Sequence, residues 1–378
     1  MIRRAPVALF ASLTLLVACS SEDAALETDG DQEVNASPEC NPLRVKATDL
    51  AAPIEGLSAT GNAPLPRLGP DANGFFHPPL GYTEGGTFAR ASDKREWAVD
   101  ANSIAPAAPK GSLRVAEWNV ERGNKLDQAI RLMKKENADV WLVNETDLYG
   151  KNSGGVVVAR EIARALGYSY YTAIEFYERR DDRRGTSGNA IVSRFPLRDV
   201  RSLEIPIFPD KGGFDWAKSK SEPRCGQRNA ISAKIDAVAA DGTIRATNVV
   251  ALHTENKTSA SVRRAQFDHV VRSLVTPGEP TILAGDLNTL APAEGTSFRG
   301  DLARLVTKNG RERALFDCSR GDDTTTFSAA LIINARIDWM MVQSGDGVHL
   351  DCPAGGYQVH SNDGSSDHRP VIVQMTVR

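Results

Sequence analysis

Across residues 113–377, short apolar runs of strand length stop again and again at an acid, an amide or an imidazole. Asn119 closes the run 113–118, Glu145 follows 140–143 and His253 follows 249–252. Asp286 and Asn288 follow 281–284, Asp338 follows Ile337, and Asp367 and His368 stand just ahead of the apolar run that starts at Pro370. Such groups at strand termini can converge at one end of a rigid sheet scaffold, which is how a fold presents a site. Between the runs, apolar residues at helical spacing (Leu126, Ala129, Ile130 and Met133 in the first case) predict helices over 125–136, 156–166 and 261–274. Further strands are expected over 168–174, 189–193, 228–235, 244–252, 281–284, 337–342 and 371–377. Many strands with a few interspersed helices predict an α/β (α+β) domain of two stacked sheets flanked by helices.

The first 110 residues read differently. Arg3 and Arg4 precede an apolar stretch from residue 5 to 18, shorter than the roughly 20 residues a spanning helix needs. A basic start and a short apolar run make a secretory signal. It ends in Leu16-Val17-Ala18-Cys19, which resembles a lipobox, so Cys19 is the expected lipidation site and 1–19 the signal peptide. Residues 20–110 are expected to form an extended, partly disordered tether and arm, acidic at first and then rich in proline and glycine. Residues 111–378 are expected to form the catalytic domain. This places the protein outside the cytoplasm, lipid-anchored to a bacterial membrane. An exported chain can form disulfides. Setting Cys19 aside, Cys318 with Cys352 and Cys40 with Cys225 are the favoured pairs, the first because both cysteines flank the C-terminal strands.

The residue types suit one chemistry. A phosphodiester anion repels nucleophiles, so a cation must neutralise it. Glu145 and Asp367 offer the hard oxygen ligands that suit Mg²⁺, with Mn²⁺ or Ca²⁺ as alternatives. Few paired Cys and His residues remain for a structural zinc site. His368 with Asp338 would be a histidine base oriented by a carboxylate, and His253 could donate to a phosphoryl oxygen or leaving group. The net charge of −3 gives no global pull toward nucleic acid, so any attraction to phosphate must be local.

These motifs together, Trp118-Asn119, Asn144-Glu145, Gly188–Ser193, His253-Thr254, Gly285-Asp286-Leu287-Asn288, Ile337-Asp338 and Ser366-Asp367-His368, resemble the endonuclease/exonuclease/phosphatase superfamily. That group includes DNase I-like nucleases, neutral sphingomyelinases and inositol polyphosphate phosphatases. The resemblance implies a DNase I-like four-layer α/β sandwich and hydrolysis without a covalent intermediate. It implies Glu145 as principal metal carboxylate, with Asn119 and Asp367 beside it. It also implies Asp286 aligning water or stabilising the leaving oxygen, Asn288 on the scissile phosphate, His368 as base and Asp338 as its partner. The family usually has Gln where Asn144 stands, a difference expected to act behind the metal carboxylate.

Other residues stay open. Arg228 could reach the phosphate. Arg184, with Arg179, Arg180 and Arg183, is either a phosphate contact or a solvated loop neutralised by its own acids. The loop 211–220 around Trp216 would suit a nucleic-acid strand, a sugar or a lipid headgroup. Asn189 is expected to be structural, Arg263, Arg264 and Gln266 to make surface and inter-element contacts, and Glu255 has no assigned role. The expected activity is Mg²⁺-dependent phosphodiesterase of nuclease type, in a monomer. The alternatives are a sphingomyelinase-like phospholipid phosphodiesterase or phosphatase, and a membrane-tethered binding lipoprotein with no catalysis.

Overall fold

The computed structural model describes residues 83–87, 110–150, 152–178, 185–289, 298, 315–329 and 333–378. Cys19, the signal peptide, most of the arm, Cys40 and the basic run 179–184 lie outside them. In chain order the strands are β1 (Thr83–Thr87), β2 (Ser112–Asn119), β3 (Val140–Leu148), β4 (Ser169–Glu178), β5 (Gly185–Ser193), β6 (Arg198–Glu204), β7 (Arg224–Gly226), β8 (Asn229–Val238) and β9 (Ile244–His253). They continue as β10 (Thr281–Asp286), β11 (Phe316–Asp317), β12 (Phe327–Ala329), β13 (Ile333–Ala335), β14 (Asp338–Gln343), β15 (Leu350–Asp351), β16 (Tyr357–Val359) and β17 (Val371–Val377). The helices are α1 (Leu126–Glu136), α2 (Val158–Leu166) and α3 (Ala260–Leu274).

Two mixed sheets form, as the strand-rich pattern requires. The first has nine strands in the order β1-β4-β5-β3-β2-β17-β15, with β7 on β4 and β16 on β17. The second has six, in the order β11-β14-β10-β9-β8-β6. Strand alternation sends Leu113, Val115, Val140, Leu142 and Ile191 of the first sheet against Ile231, Val249, Ala251, Ile282, Ala284 and Met340 of the second. The opposite face of the first sheet carries Trp118 and Trp141, covered by Met133 of α1 and Ile162 of α2. The outer face of the second sheet carries Val250, Leu252 and Leu283 beneath Phe267, Val270 and Leu274 of α3. Helix, sheet, sheet, helix gives the four-layer DNase I-like sandwich that the motifs implied.

The helices stop where local chemistry dictates. Asn137 takes the left-handed conformation after α1 and Gly167 after α2, each returning its N–H to the last turn. Ser259 caps α3 by accepting from the Val262 N–H. Cys318 and Cys352 form the expected disulfide. Cys225 is disulfide-bonded too; Cys40, its expected partner, lies outside the described residues. Among the described residues, no helix is long and apolar enough to cross a membrane.

Candidate active site

Register places the site. In the second sheet β10 runs parallel to β9 and antiparallel to β14, and Asp286 is paired with both His253 and Asp338. Three strands therefore end side by side on an imidazole and two carboxylates. Gly285 makes this approach feasible, since a Cβ there would lie 1.7 Å from the Leu252 carbonyl oxygen. In the first sheet β2 and β3 run parallel, with Asn119 opposite Asn144. The pairing of β3 with β5 then slips between Val143 and Thr146, a bulge in which Glu145 sits at φ +53°. Bulges re-aim a side chain where regular alternation would bury it, and Glu145 keeps about a quarter of its side chain exposed.

The site joins at the edge between the sheets. His368 Nδ1 lies 3.0 Å from both carboxylate oxygens of Asp338, and its Nε2 faces Asp286 Oδ2 at 3.7 Å. Asn119 donates from Nδ2 to Asp286 at 3.2 Å and accepts from the Glu121 N–H through Oδ1. The His368 loop is pinned to β2: Trp118 Nε1 donates to the His368 carbonyl and Ser366 Oγ to the Asn119 carbonyl. Asn288, at φ +49°, donates its backbone N–H to Asp286 and its side-chain amide to the Thr254 carbonyl. Asn119, Glu145, His253, Asp286, Asn288, Asp338, Asp367 and His368 thus gather around one edge, as the sequence led us to expect.

Arg228 differs from its expected place. It is buried, with Nη1 3.2 Å from Glu175 and 2.8 Å from His253 Nδ1. It holds a positive charge behind His253 rather than presenting a free fork to substrate. The contact suits a His253 ring that accepts at Nδ1 and turns its Nε2–H toward Asp286 Oδ2, 3.5 Å away. Arg184 lies outside the described residues. Arg263 and Gln266 are buried inter-element ties rather than surface groups: Arg263 donates to the Glu255 and Thr258 carbonyls, and Gln266 accepts from the Glu255 N–H.

Behind this edge lies a polar layer, most of which sequence reading missed or left unassigned. Asn189, expected to be structural, accepts from Asn144 and donates to Glu175 and Asn229. Glu175 occupies a slip in the β4–β5 register. Glu255 accepts from Trp216 Nε1 at 2.6 Å and lies 3.6 Å from Arg228, so it ties the loop 214–218 to the site. Arg122 pairs with Glu178 at 2.7 Å and lies 4.0 Å from Glu145. Glu117 is fully buried near Asp338 and Asp286; burial and those two charges push its carboxyl well above the usual range. One signal for Glu117 was available: it shares strand phase with Asn119, two residues on.

The electrostatics favour a cation. Burial pushes the Glu145 carboxyl up, but Arg122 foremost among nearby positive groups outweighs it and holds the pKa at about 2. Asp367 is raised to about 6, by burial first and then by Glu145 and Glu121, against the pull of His368. These acids are close enough to repel, are partly exposed and offer only oxygen, a donor set that fits a hard divalent ion. Asp286, Asp338 and His368 also bring ligand atoms within 4.8 Å of one another. In that trio Nδ1 of His368 already faces Asp338 at hydrogen-bond distance, so the trio is better matched to proton transfer.

A two-sheet sandwich with a His–Asp pair and clustered acids at one edge defines a phosphoester hydrolase. The family model for the Endonuclease/Exonuclease/phosphatase family matches residues 116–368, and the chain belongs to that family. It is an enzyme of the metal-dependent phosphoric ester hydrolase class. Among solved structures it is similar to an endonuclease/exonuclease/phosphatase from Beutenbergia cavernae, with 18% identity over 71% of this chain and 72% of that one and a TM-score of 0.52. It is also similar to one from Bacteroides vulgatus (17%, 71% and 100%, 0.49) and to a family protein from Leptotrichia buccalis (15%, 70% and 99%, 0.48). At this identity the likeness concerns the fold. No curated protein gives a significant sequence match.

Proposed function

We propose that the enzyme is a Mg²⁺-dependent phosphodiesterase of nuclease type, in which water activated by His368 attacks phosphorus in line with the leaving oxygen. The observation that carries this reading is the symmetric approach of His368 Nδ1 to Asp338 at 3.0 Å. A ring held at Nδ1 by a carboxylate keeps Nε2 for the proton of the attacking water. Asp286, flanked by both histidines, aligns the water or stabilises the leaving oxygen, and His253 supplies a proton on the leaving side. Asn288, whose side-chain amide is anchored on the Thr254 carbonyl, would hold the phosphate. Glu145, Asp367 and Asn119 would hold the metal, which when bound neutralises phosphate charge.

Support for nucleic acid comes from the loop that Glu255 anchors. Half-buried Phe214 packs edge-on against the buried Trp216 ring at 5.0 Å, and the exposed Lys257 lies 5.7 Å from the Phe214 ring and 4.7 Å from that of Trp216. Basic and aromatic groups interleaved beside a phosphate site suit a sugar-phosphate strand. The test is a panel of DNA, RNA, sphingomyelin, inositol phosphates and bis-p-nitrophenyl phosphate, each assayed with Mg²⁺ and with EDTA. Turnover of DNA or RNA that EDTA abolishes supports the proposal; turnover confined to sphingomyelin or to phosphomonoesters rejects the nuclease assignment.

We further propose an extracytoplasmic, Cys19-anchored protein, a reading that the Cys318–Cys352 disulfide supports. Labelling with radioactive palmitate in a bacterial host should be lost in Cys19→Ala. Equal labelling of the variant would refute the anchor.

A further inference from the structure

The two halves of the His–Asp pair come from different sheets. Asp338 opens β14 of the second sheet, and His368 lies just ahead of β17 of the first. Among the described residues no strand ladder runs between the sheets, so the separation of 3.0 Å is left to side chains and loops. One short segment is bonded to both. Thr326 Oγ1 accepts from the backbone N–H groups of Ile337 and Asp338, at 3.0 and 3.1 Å. The Thr326 carbonyl accepts from the Arg369 N–H at 2.6 Å, and the Ser328 N–H donates to the Asp367 carbonyl at 3.1 Å. Between them, the Phe327 ring lies 4.9 Å from the His368 ring, tilted by 55°. Thr326 therefore reaches the second sheet with its side chain and the His368 loop with its main chain.

The hydroxyl oxygen accepts twice. A threonine oxygen has two lone pairs and one proton. Here both lone pairs serve the backbone N–H groups of Ile337 and Asp338, so the oxygen fixes the start of β14, which carries the Asp338 carboxylate. Thr326 is completely buried, so no water can replace it. Loss of the oxygen would leave two buried N–H groups unpaired and loosen the backbone that holds the Asp338 carboxylate against Nδ1.

We infer that Thr326 is a positioning residue: it clamps Asp338 against His368 across the two sheets and so sets the direction of His368 Nε2. The inference rests on the His368–Asp338 reading above. Thr326→Val keeps the shape and removes the hydroxyl, and Thr326→Ser keeps the hydroxyl and removes a methyl. Both would be assayed on bis-p-nitrophenyl phosphate with Mg²⁺, beside His368→Ala and thermal melts of every variant. Thr326→Val is expected to lose about ten- to a hundredfold in kcat with KM unchanged, because small misplacements of a reacting group cost that much. Thr326→Ser should restore most of the loss. Should the valine variant not fold, Thr326→Ala, which only removes atoms, takes its place under the same criteria.

Wild-type kcat in a folded Thr326→Val, or an equal loss in folded Thr326→Ser, overturns the clamp. If His368→Ala is itself fully active, the underlying base assignment fails and takes the clamp with it. A Thr326→Val defect beside an inactive His368→Ala and an active Thr326→Ser upholds both.

Discussion

Asn144 Oδ1 accepts the backbone N–H of Asp286 at 2.9 Å, a bond from the first sheet to the second made by the residue next to Glu145. Its Nδ2 bonds Asn189 and the Leu252 carbonyl at 2.7 and 3.2 Å. The shorter side chain where the family usually has Gln is thus bonded through both its amide oxygen and its amide nitrogen behind the proposed metal carboxylate. Asn144→Leu would leave several buried polar groups unpaired, each costing about 1–3 kcal/mol. A loss of stability on the order of 3 kcal/mol is expected from urea unfolding, together with reduced turnover because Asp286 is no longer fixed. An unchanged urea midpoint would remove the basis for this bridge.

His368→Ala removes the proposed base, and Asp338→Asn lets its ring rotate and choose the wrong tautomer. Each is expected to lower kcat by about 10²–10⁴. The double variant should be little worse than either one, since the two residues act as a unit. Additive losses in steady-state kinetics would argue against a dyad.

Glu145 is the acid on which the cations of the site converge, and Asp367 repels it. Glu145→Gln keeps the size and removes the charge. The Mg²⁺ concentration for half-maximal rate should rise by about tenfold or more. EDTA should abolish the wild-type rate and excess Mg²⁺ restore it. A variant with the wild-type Mg²⁺ requirement would exclude Glu145 as the principal ligand.

Arg336 binds Asp317 through Nη2 at 2.9 Å and also packs 3.9 Å over Trp339. Burial would raise the Asp317 pKa, but the charge and hydrogen bonds of Arg336, with Ser319, hold it below the ordinary value. A carboxyl depressed on folding contributes stability above its unfolded pKa of about 3.9, and this is lost as pH falls through the folded value. Asp317→Asn should therefore be less stable by on the order of 2 kcal/mol at neutral pH. The gap should close in acid, below the usual carboxylate range. Guanidinium midpoints of both proteins across pH test this, and a pH-independent gap would contradict it.

Most of the reacting edge was legible before any fold was seen. Asn119, Glu145, His253, Asp286, Asp338 and His368 announce themselves because each breaks an apolar run, and burial makes such breaks costly unless they serve a site. The elements were also legible, apart from their edges: β5 begins at Gly185 and β4 reaches Glu178, longer than periodicity implied. The short pieces β7, β11, β12, β13, β15 and β16 carry too few residues for a period to show, and β6, seven residues long, has no buried alternation to read.

The supporting layer was not legible, and the reason is geometric. Arg122, Glu175 and Arg228 take their meaning from partners 14–56 residues away, such as Glu175 with Asn189, Arg228 with His253 and Arg122 with Glu178. Thr326 looks like any threonine of a polar loop until β14 and the His368 loop are seen on either side of it. Local chemistry along the chain decided which residues could serve a phosphate and which strands would carry them. Only the stacking of the two sheets decided that His368 faces Asp338, because among the described residues no hydrogen-bond ladder crosses between them and a few buried polar bonds set that distance.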